Sequence, residues 1–540
     1  MIARKSLLVV IAQFFTRILG WVGLVVIAKL WGAFAREALG DIGVAMAFVA
    51  LFYIISDLGF SQAHVKKISE GQDLGTCIGT FVSIKIILTS IMVFLVLFTL
   101  FFLDSILHLG FTDATKQSVV LVFLLYYVLL SIQQIAISTF NGKGEISKMQ
   151  ITAVFENIVK IPLMILVALA GVGLIGLAPV VAWPDVLLPL RQFLAGHPIG
   201  SYAMAYVFGM ASSVMVGFWL LRKNPLKKPS KKFGKSYFAF TMPILIFSIF
   251  STIATNIDRL LIGFFWTQKE VGDYFSLQQI LQIIIIIAVA FNTVLFPVYS
   301  EYHSAKNVKK INGTTLLAER YISMVIMPPV VVIIVFAKPL INVMLNSTFV
   351  HASPTLIVLT LYAILLSFMA PYYSLLIGMN KPGTYAKIGL GISIINIALD
   401  VLFIPQWGVL TPVGINGPTG AAVALVVANV VGYVWVRLSA RKLTGIQVVQ
   451  SHTPRHIGAG VVTGIILYFI GFQSGLFPVV RWFHLILFAM IGLVIYLAVS
   501  YLLKEFTKKD LEFFLELINP KKIYHYVTSE IKEENTSEKK

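Results

Sequence analysis

The chain has 540 residues, 58% of them hydrophobic and 12% charged, with a mean hydropathy of +0.89. A soluble chain carries about 25% charged residues, so a soluble globular enzyme is excluded and a polytopic membrane protein is implied. The formal net charge is +18, yet the basic runs carry few aromatics and no recognition motif, which argues against nucleic acid as a partner.

Cys77 is the single cysteine, so no internal disulfide framework is available. The nine His are scattered and no Cys/His group has zinc-like spacing. No cofactor, metal site or catalytic residue is therefore expected.

A membrane crossing needs about 20 mainly apolar residues. Fourteen segments qualify, near 6–31, 40–62, 76–102, 117–140, 149–177, 200–222, 236–264, 272–299, 316–336, 354–378, 384–406, 418–440, 455–472 and 482–503. The first follows a short basic head. It is too long for a signal-peptide core and reads as a retained span. The ninth is interrupted by Pro328-Pro329, and the thirteenth is short and Gly-rich.

Lys and Arg collect in the even-numbered gaps, as in HVKKISEG, NGKGEISK, RKNPLKKPSKKFGK, SEYHSAKNVKK and RLSARKL. The odd-numbered gaps hold only Arg36, Lys116, Arg191, Lys269, Lys338 and Arg481. The positive-inside rule then places both termini in the cytoplasm of a multi-pass cell-membrane protein. The basic loops also suit anionic lipid headgroups.

The pattern repeats with an offset of six spans. VVIAKLWGAFAREALGDIGVAM joins spans 1 and 2, and RLLIGFFWTQKEVGDYFSL joins spans 7 and 8. Each runs from an apolar helix through a short polar link to Gly-Asp, at Gly40-Asp41 and Gly272-Asp273. STFNGKGEISKMQ before span 5 and LLIGMNKPGTYAK before span 11 match more loosely. The expected fold is all-α, with two six-helix lobes related by pseudo-twofold symmetry about the membrane normal and two C-terminal helices. The division is a lobe at 1–222, a basic linker at 223–235, a second lobe at 236–440, two extra spans at 441–503 and a polar tail at 504–540. Repeats around a central site are typical of alternating-access transporters.

Charged groups inside such a bundle cost about 2.5–3.5 kcal/mol each on insertion scales and mark pathways or pairs. Gln13 and Arg17 lie four apart on span 1. Lys85 lies within span 3. Glu156 and Lys160 lie four apart on span 5, a ready intrahelical pair. Asn256, Asp258 and Arg259 lie near the outer end of span 7, where long side chains can snorkel. Asp400 lies near the outer end of span 11. Arg17 and Lys85 have no acidic neighbour on their own helices. They suggest a cationic hollow for an anionic head group, since the guanidinium fork binds phosphate oxygens bidentately. The candidate cargo contacts are Arg17, Lys85, Lys160, Arg259 and Gln13. Glu156, Asp258, Asp400 and Asn256 are ion-coupling groups or structural pairs.

FTMPILIFSIFSTIATNIDRLLIGFFWTQKEVGDYFSLQQI, followed by AVAFNTVLFPVYSEYHS, carries the frame Asp258, Arg259, Gly263, Val271, Gly272, Tyr274, Phe296 and Pro297. With SDLGFSQAHVKKISEG and NIALDVLFIPQWGV, this resembles the polysaccharide-transport branch of the multidrug/oligosaccharidyl-lipid/polysaccharide exporter superfamily. The resemblance covers about residues 1–440. It implies a flippase for a polyprenyl-linked oligosaccharide, its phosphate or diphosphate held in a cationic lumen, coupled to H+ or Na+. Other glycan-assembly membrane proteins are candidate partners. The link APVVAWPDVLLPLRQFLAGHPIG, within 178–199, is longer than the family pattern and reads as an interfacial segment.

Alternatives within this class are an organic-cation exporter, which would favour acids in span 1, and a peptidoglycan-precursor lipid flippase. A membrane glycan polymerase or transferase would need paired carboxylates or a large outside loop, and none stands at catalytic spacing. A non-catalytic scaffold would not call for unpaired intramembrane cations.

Overall fold

The computed structural model describes residues 2–105, 114–171, 183–446, 452–473, 481–508, 510 and 512, and among these residues there are helices and no strands. Helices are what a bilayer demands, because each satisfies its own backbone groups. The first lobe contains α1 (Ile2–Trp31), α2 (Phe34–Asp57), α3 (Phe60–Ser69), α4 (Leu74–Ser105), α5 (Ala114–Lys143), α6 (Ile146–Gly171), α7 (Leu188–Gly196) and α8 (Pro198–Leu221). The second contains α9 (Lys231–Phe265), α10 (Gln268–Ser304), α11 (Val308–Val335), α12 (Ala337–Met344), α13 (Ser353–Gly378), α14 (Pro382–Phe403) and α15 (Gly417–Thr444). Then follow α16 (His452–Tyr468) and α17 (Trp482–Leu502), both packed on α11. Twelve helices among the described residues are long and apolar enough to cross a membrane. The expected fourteen is approximate: α1 and α9, of 30 and 35 residues, are the other two long helices at the expected span positions.

The two lobes repeat one another in packing. In the first, α1 meets α6, α2 meets α4 and α5, α4 meets α5, and α8 meets α5 and α6. In the second, α9 meets α14, α10 meets α11 and α13, α11 meets α13, and α15 meets α13 and α14. Each pair has its counterpart six crossings later. Between lobes, α2 crosses α10, and the symmetric pairs α2–α9 and α1–α10 flank that crossing.

Four details depart from the sequence expectation. The second span breaks at Leu58-Gly59, whose φ values of 45° and 84° are left-handed, and restarts as α3. The ninth span is not interrupted: α11 runs through Pro328-Pro329. Packing against α10, α13, α16 and α17 supports the turn that has lost its donors. Arg437, expected in a basic loop, is buried on α15. The start of α9 leans on the first lobe, where His64 Nδ1 and the Tyr237 hydroxyl are 2.8 Å apart.

Of the 178–199 link, residues 178–182 lie outside the described residues. α7 leaves Leu190 and Phe193 exposed, in keeping with an interfacial segment. Most of the polar tail, from 513, also lies outside them. Its start clasps the second lobe: Arg320 donates to Asp510 at 2.6 Å, and Glu505 accepts from Arg455 at 2.7 Å.

We refer to the side bearing residues 70–73, 222–230 and 305–307 as the basic face, and to the opposite side as the sparse face. On the basic face, Lys227 and Thr76 beside Asp73 hold its carboxyl well below the usual carboxylate range. The apolar core is divided unevenly between the faces. Toward the sparse face one continuous cluster spans both lobes, from Leu24 and Val49 to Val271, Leu356 and Ala421. Toward the basic face the core splits into two clusters, one around Tyr299 within the second lobe and one around Phe140 in the first lobe that also takes in Tyr237 from the start of α9. The lobes share one core at the sparse face, and at the basic face they meet through the start of α9.

The fusion is closest at the α2–α10 crossing. A Cβ on Gly40 would lie 1.8 Å from the Gln268 carbonyl oxygen, and one on Gly272 would lie 1.8 Å from that of Arg36. The two glycines occupy equivalent positions in the two repeats, so the same backbone contact is made twice. Beside it, Arg36 grips Asp273 bidentately at 2.8 and 2.7 Å, and His351 adds a contact to the same carboxylate at 2.8 Å. No side chain fits between the backbones, so Gly272→Val should destabilise the protein by about 1–3 kcal/mol. Thermal unfolding in detergent reads this, and an unchanged midpoint would show that the crossing tolerates separation.

Candidate functional site

Directly beneath the crossing is a cavity of about 190 Å3 between the lobes. Its walls come from α1, α2, α5, α6, α8 and α10, and include Gly20, Met46, Tyr126, Lys160, Tyr206 and Gln279. Gly20 and Leu24 of α1 line it. Gln13, Arg17, Gly20 and Leu24 are spaced four, three and four apart, a single helical stripe. Arg17 is exposed and Gln13 half-buried, so the stripe carries both from the cavity toward the basic face.

Lys160 pairs with Glu156 at 2.7 Å and lies over the Tyr206 ring at 5.0 Å. Tyr126 donates to Glu156 at 3.4 Å. The lysine charge is thus matched within its own helix. Arg259 approaches from the second lobe. It donates to Asn256 Oδ1 at 3.0 Å and lies over the ring of Phe275, a cavity residue, at 5.8 Å. Its Nε has no acceptor, and it makes no carboxylate ion pair among the described residues. It does not snorkel to the surface as its sequence position suggested.

Lys85 is placed differently. It is 2% exposed and donates to Asp57 Oδ1 at 2.6 Å and to the Ser56 carbonyl at 3.1 Å. Asp57 ends α2, so the pair fastens that end to α4 in the first lobe. The sequence offered Lys85 as an unpartnered cation because its partner stands on another helix.

Asp258 and Asp400 come together across α9 and α14, both buried. The two carboxyls are within hydrogen-bonding reach of each other. Tyr274 donates to Asp258 Oδ2 at 2.6 Å, and Asn396 donates to Asp400 Oδ2 at 2.9 Å. Oδ1 of each is buried without a donor. Two bare carboxylates repel in such a place, and a shared proton or a small bound cation removes the repulsion. The oxygen-rich donor set suits a hard monovalent ion as well as a proton.

Several functional-looking groups escaped sequence reasoning. Glu319 on α11 accepts from Tyr372 at 2.6 Å, from Arg437 at 2.8 Å and from Thr453 at 2.7 Å, tying α11, α13, α15 and α16. Lone charges far apart in sequence carry no local sign of such a network. The tyrosine wall of the cavity was equally silent, since aromatics are ordinary in apolar helices.

Two helical lobes around an interlobe cavity, in a shell of helices long and apolar enough to cross a membrane, define a polytopic all-helical membrane protein. The fold is similar to "Lipid II flippase MurJ, inward closed conformation", with a TM-score of 0.67, 18% identity, and coverage of 91% of this chain and 98% of that one. It is also similar to an inward-facing multidrug resistance MATE family transporter of the MOP superfamily, at a TM-score of 0.57, 16% identity, and coverage of 81% and 99%. Residues 2–303 match the family described as polysaccharide biosynthesis protein, and the chain belongs to that family. A relative in Haloferax volcanii, the probable low-salt glycan biosynthesis flippase Agl15, is 25% identical over 428 residues, covering 78% of this chain and 80% of the relative.

If Lys85 acts only as a fastener, Lys85→Met should cost roughly 1–3 kcal/mol by stranding the partly exposed Asp57. Adding Asp57→Asn should restore part of that loss. Chemical or thermal unfolding of the single and double variants measures both, and a double variant as weak as the single one would contradict the pairing.

Proposed function

We propose that this protein flips a polyprenyl-phosphate- or diphosphate-linked oligosaccharide across the cytoplasmic membrane by alternating access, with the basic face and both termini in the cytoplasm. The observation that carries the reading is the arrangement of cations around one interlobe cavity. Arg17 stands on the stripe leading toward the basic face, Lys160 lines the cavity, and Arg259 lies behind its Phe275 wall. Arg259 lacks a carboxylate partner, so a phosphate oxygen supplies what its guanidinium is missing. The likeness to a glycan-biosynthesis flippase agrees with this cargo class.

The lipid tail also has a place. A groove of about 910 Å3 runs between α11, α13, α15 and α16, lined by apolar residues such as Met327, Val331, Phe368, Val430 and Gly464. An isoprenoid chain can lie there. An organic-cation exporter is disfavoured, because Glu156, an acid bordering the cavity, is neutralised by Lys160.

The Asp258–Asp400 pair is the coupling site in this reading. Occupation by H+ or Na+ holds α9 against α14, and release frees α9 to move between the lobes.

In vesicles, Arg259→Ala should slow translocation of a polyprenyl-diphosphate-linked sugar by about ten- to a hundredfold, the worth of one charge-assisted contact. A rate equal to that of the unaltered protein would remove Arg259 from the cargo path. Separately, transport driven by a Na+ or pH gradient should become insensitive to both gradients in Asp400→Asn while carrier binding persists. Gradient-driven transport that survives the substitution would sink the coupling assignment.

A further inference from the structure

Resting on the flippase reading, we infer that the interlobe cavity is a sugar-recognition box, in which Tyr126, Tyr202, Tyr206 and Gln279 grip the first pyranose ring next to the phosphate. Three observations meet here. The first is the aromatic wall. Tyr206 stands edge-on to Tyr126 at 6.0 Å and 88°, to Phe123 at 5.4 Å and 60°, and to Tyr202 at 6.2 Å and 69°. Tyr126 is edge-on to Tyr127 at 5.4 Å and 86°. Rings interlocked in this way are held at fixed angles before any ligand arrives, so little ordering cost is added on binding.

The second is the set of unused polar groups. The phenol oxygens of Tyr202 and Tyr206 and the amide of Gln279 make no hydrogen bonds among the described residues, and none of these atoms is fully shut away from the cavity. Two hydroxyls and an amide offer both donors and acceptors. A sugar presents the same mixture, with C–H faces that lie on aromatic rings and hydroxyls that need in-plane partners. A purely apolar cargo leaves these groups unsatisfied, at a cost.

The third is size and charge. At about 190 Å3 the cavity is smaller than a drug-sized pocket of about 300–1,000 Å3, and it suits one ring rather than a whole repeat unit. Lys160, over the Tyr206 ring, already occupies the cation–π position that an organic cation would seek. Arg259, at the Phe275 side, places a phosphate group next to the ring it carries. The walls come from both lobes, with Gln279 on α10 and the tyrosines on α5 and α8. A seated ring therefore bridges the lobes, and the box reads the sugar at the stage when the lobes are closed over it.

The test compares two probes on the purified full-length protein in nanodiscs: a polyprenyl diphosphate alone, and the same lipid bearing a single N-acetylhexosamine. Affinity is measured for the unaltered protein and for Tyr206→Leu, Tyr206→Phe and Gln279→Leu. The sugar should tighten binding by about tenfold, the worth of one aromatic contact with a hydrogen bond. Tyr206→Leu and Gln279→Leu should each remove most of that increment, and Tyr206→Phe should keep the stacking share. Affinity for the bare lipid in each variant reports that the protein is folded. If the sugar adds nothing to the unaltered protein, or its increment survives both Tyr206→Leu and Gln279→Leu, the box is overturned and the flippase reading stands. If neither lipid binds but tetraphenylphosphonium does, the flippase reading itself fails and the box fails with it.

Discussion

Two helices cross here with almost nothing between them. At Gly40 on α2 and Gly272 on α10 the backbones approach so closely that a methyl group would collide with a carbonyl oxygen of the partner helix. Close crossings of this kind are how helices adhere in lipid, where apolar surface has no water to escape. The contact sits at equivalent points of two repeats and is therefore made twice. It joins the lobes at the sparse face into one core, and the Arg36–Asp273–His351 cluster reinforces it. Toward the basic face the core is divided in two, and the lobes meet through the start of α9, where Tyr237 packs into the Phe140 cluster.

The charges sort themselves against that frame. Those that meet a partner on another helix of the same lobe act as fasteners, as do Lys85 with Asp57 and Glu319 with Arg437. Their burial costs free energy that the pairing largely offsets, and what they contribute is fixed helix placement. The remaining groups lie where the lobes meet or on α9. Lys160 lines the cavity and Arg259 lies over its Phe275 wall, while Asp258 and Asp400 confront each other between α9 and α14. Charges of one sign brought together inside a membrane are costly unless a ligand or ion completes them. α9 carries both Arg259 and Asp258, one beside the interlobe cavity and the other at the carboxylate pair. A single helix thus links the cavity wall to the carboxylate pair, so in the proposed cycle occupation of either would bias its position.

Much of the fold was legible in the chain. Fourteen apolar runs, alternating basic loops and the recurring Gly-Asp links specify a two-lobed helical bundle, because hydrocarbon permits few ways to arrange such segments. The repeat was visible at Gly40-Asp41 and Gly272-Asp273, and these proved to be the crossing itself. The break at Leu58-Gly59 and the continuity of α11 through two prolines were not legible, since both depend on what packs alongside.

The site was legible in part. Sequence alone determined which residues are charged, that they lie in apolar helices, and that Glu156 and Lys160 share a helix face, because helical periodicity is a local property. It did not determine partners. Lys85 looked free until Asp57 met it from α2, and Arg259 looked superficial until α10 was set beside it. Asp258 and Asp400 lie 142 positions apart, and only the packing of α9 on α14 makes them a pair. The rotation of each helix about its axis decides such meetings. That rotation is set by side-chain packing between helices, which no stretch of one helix records.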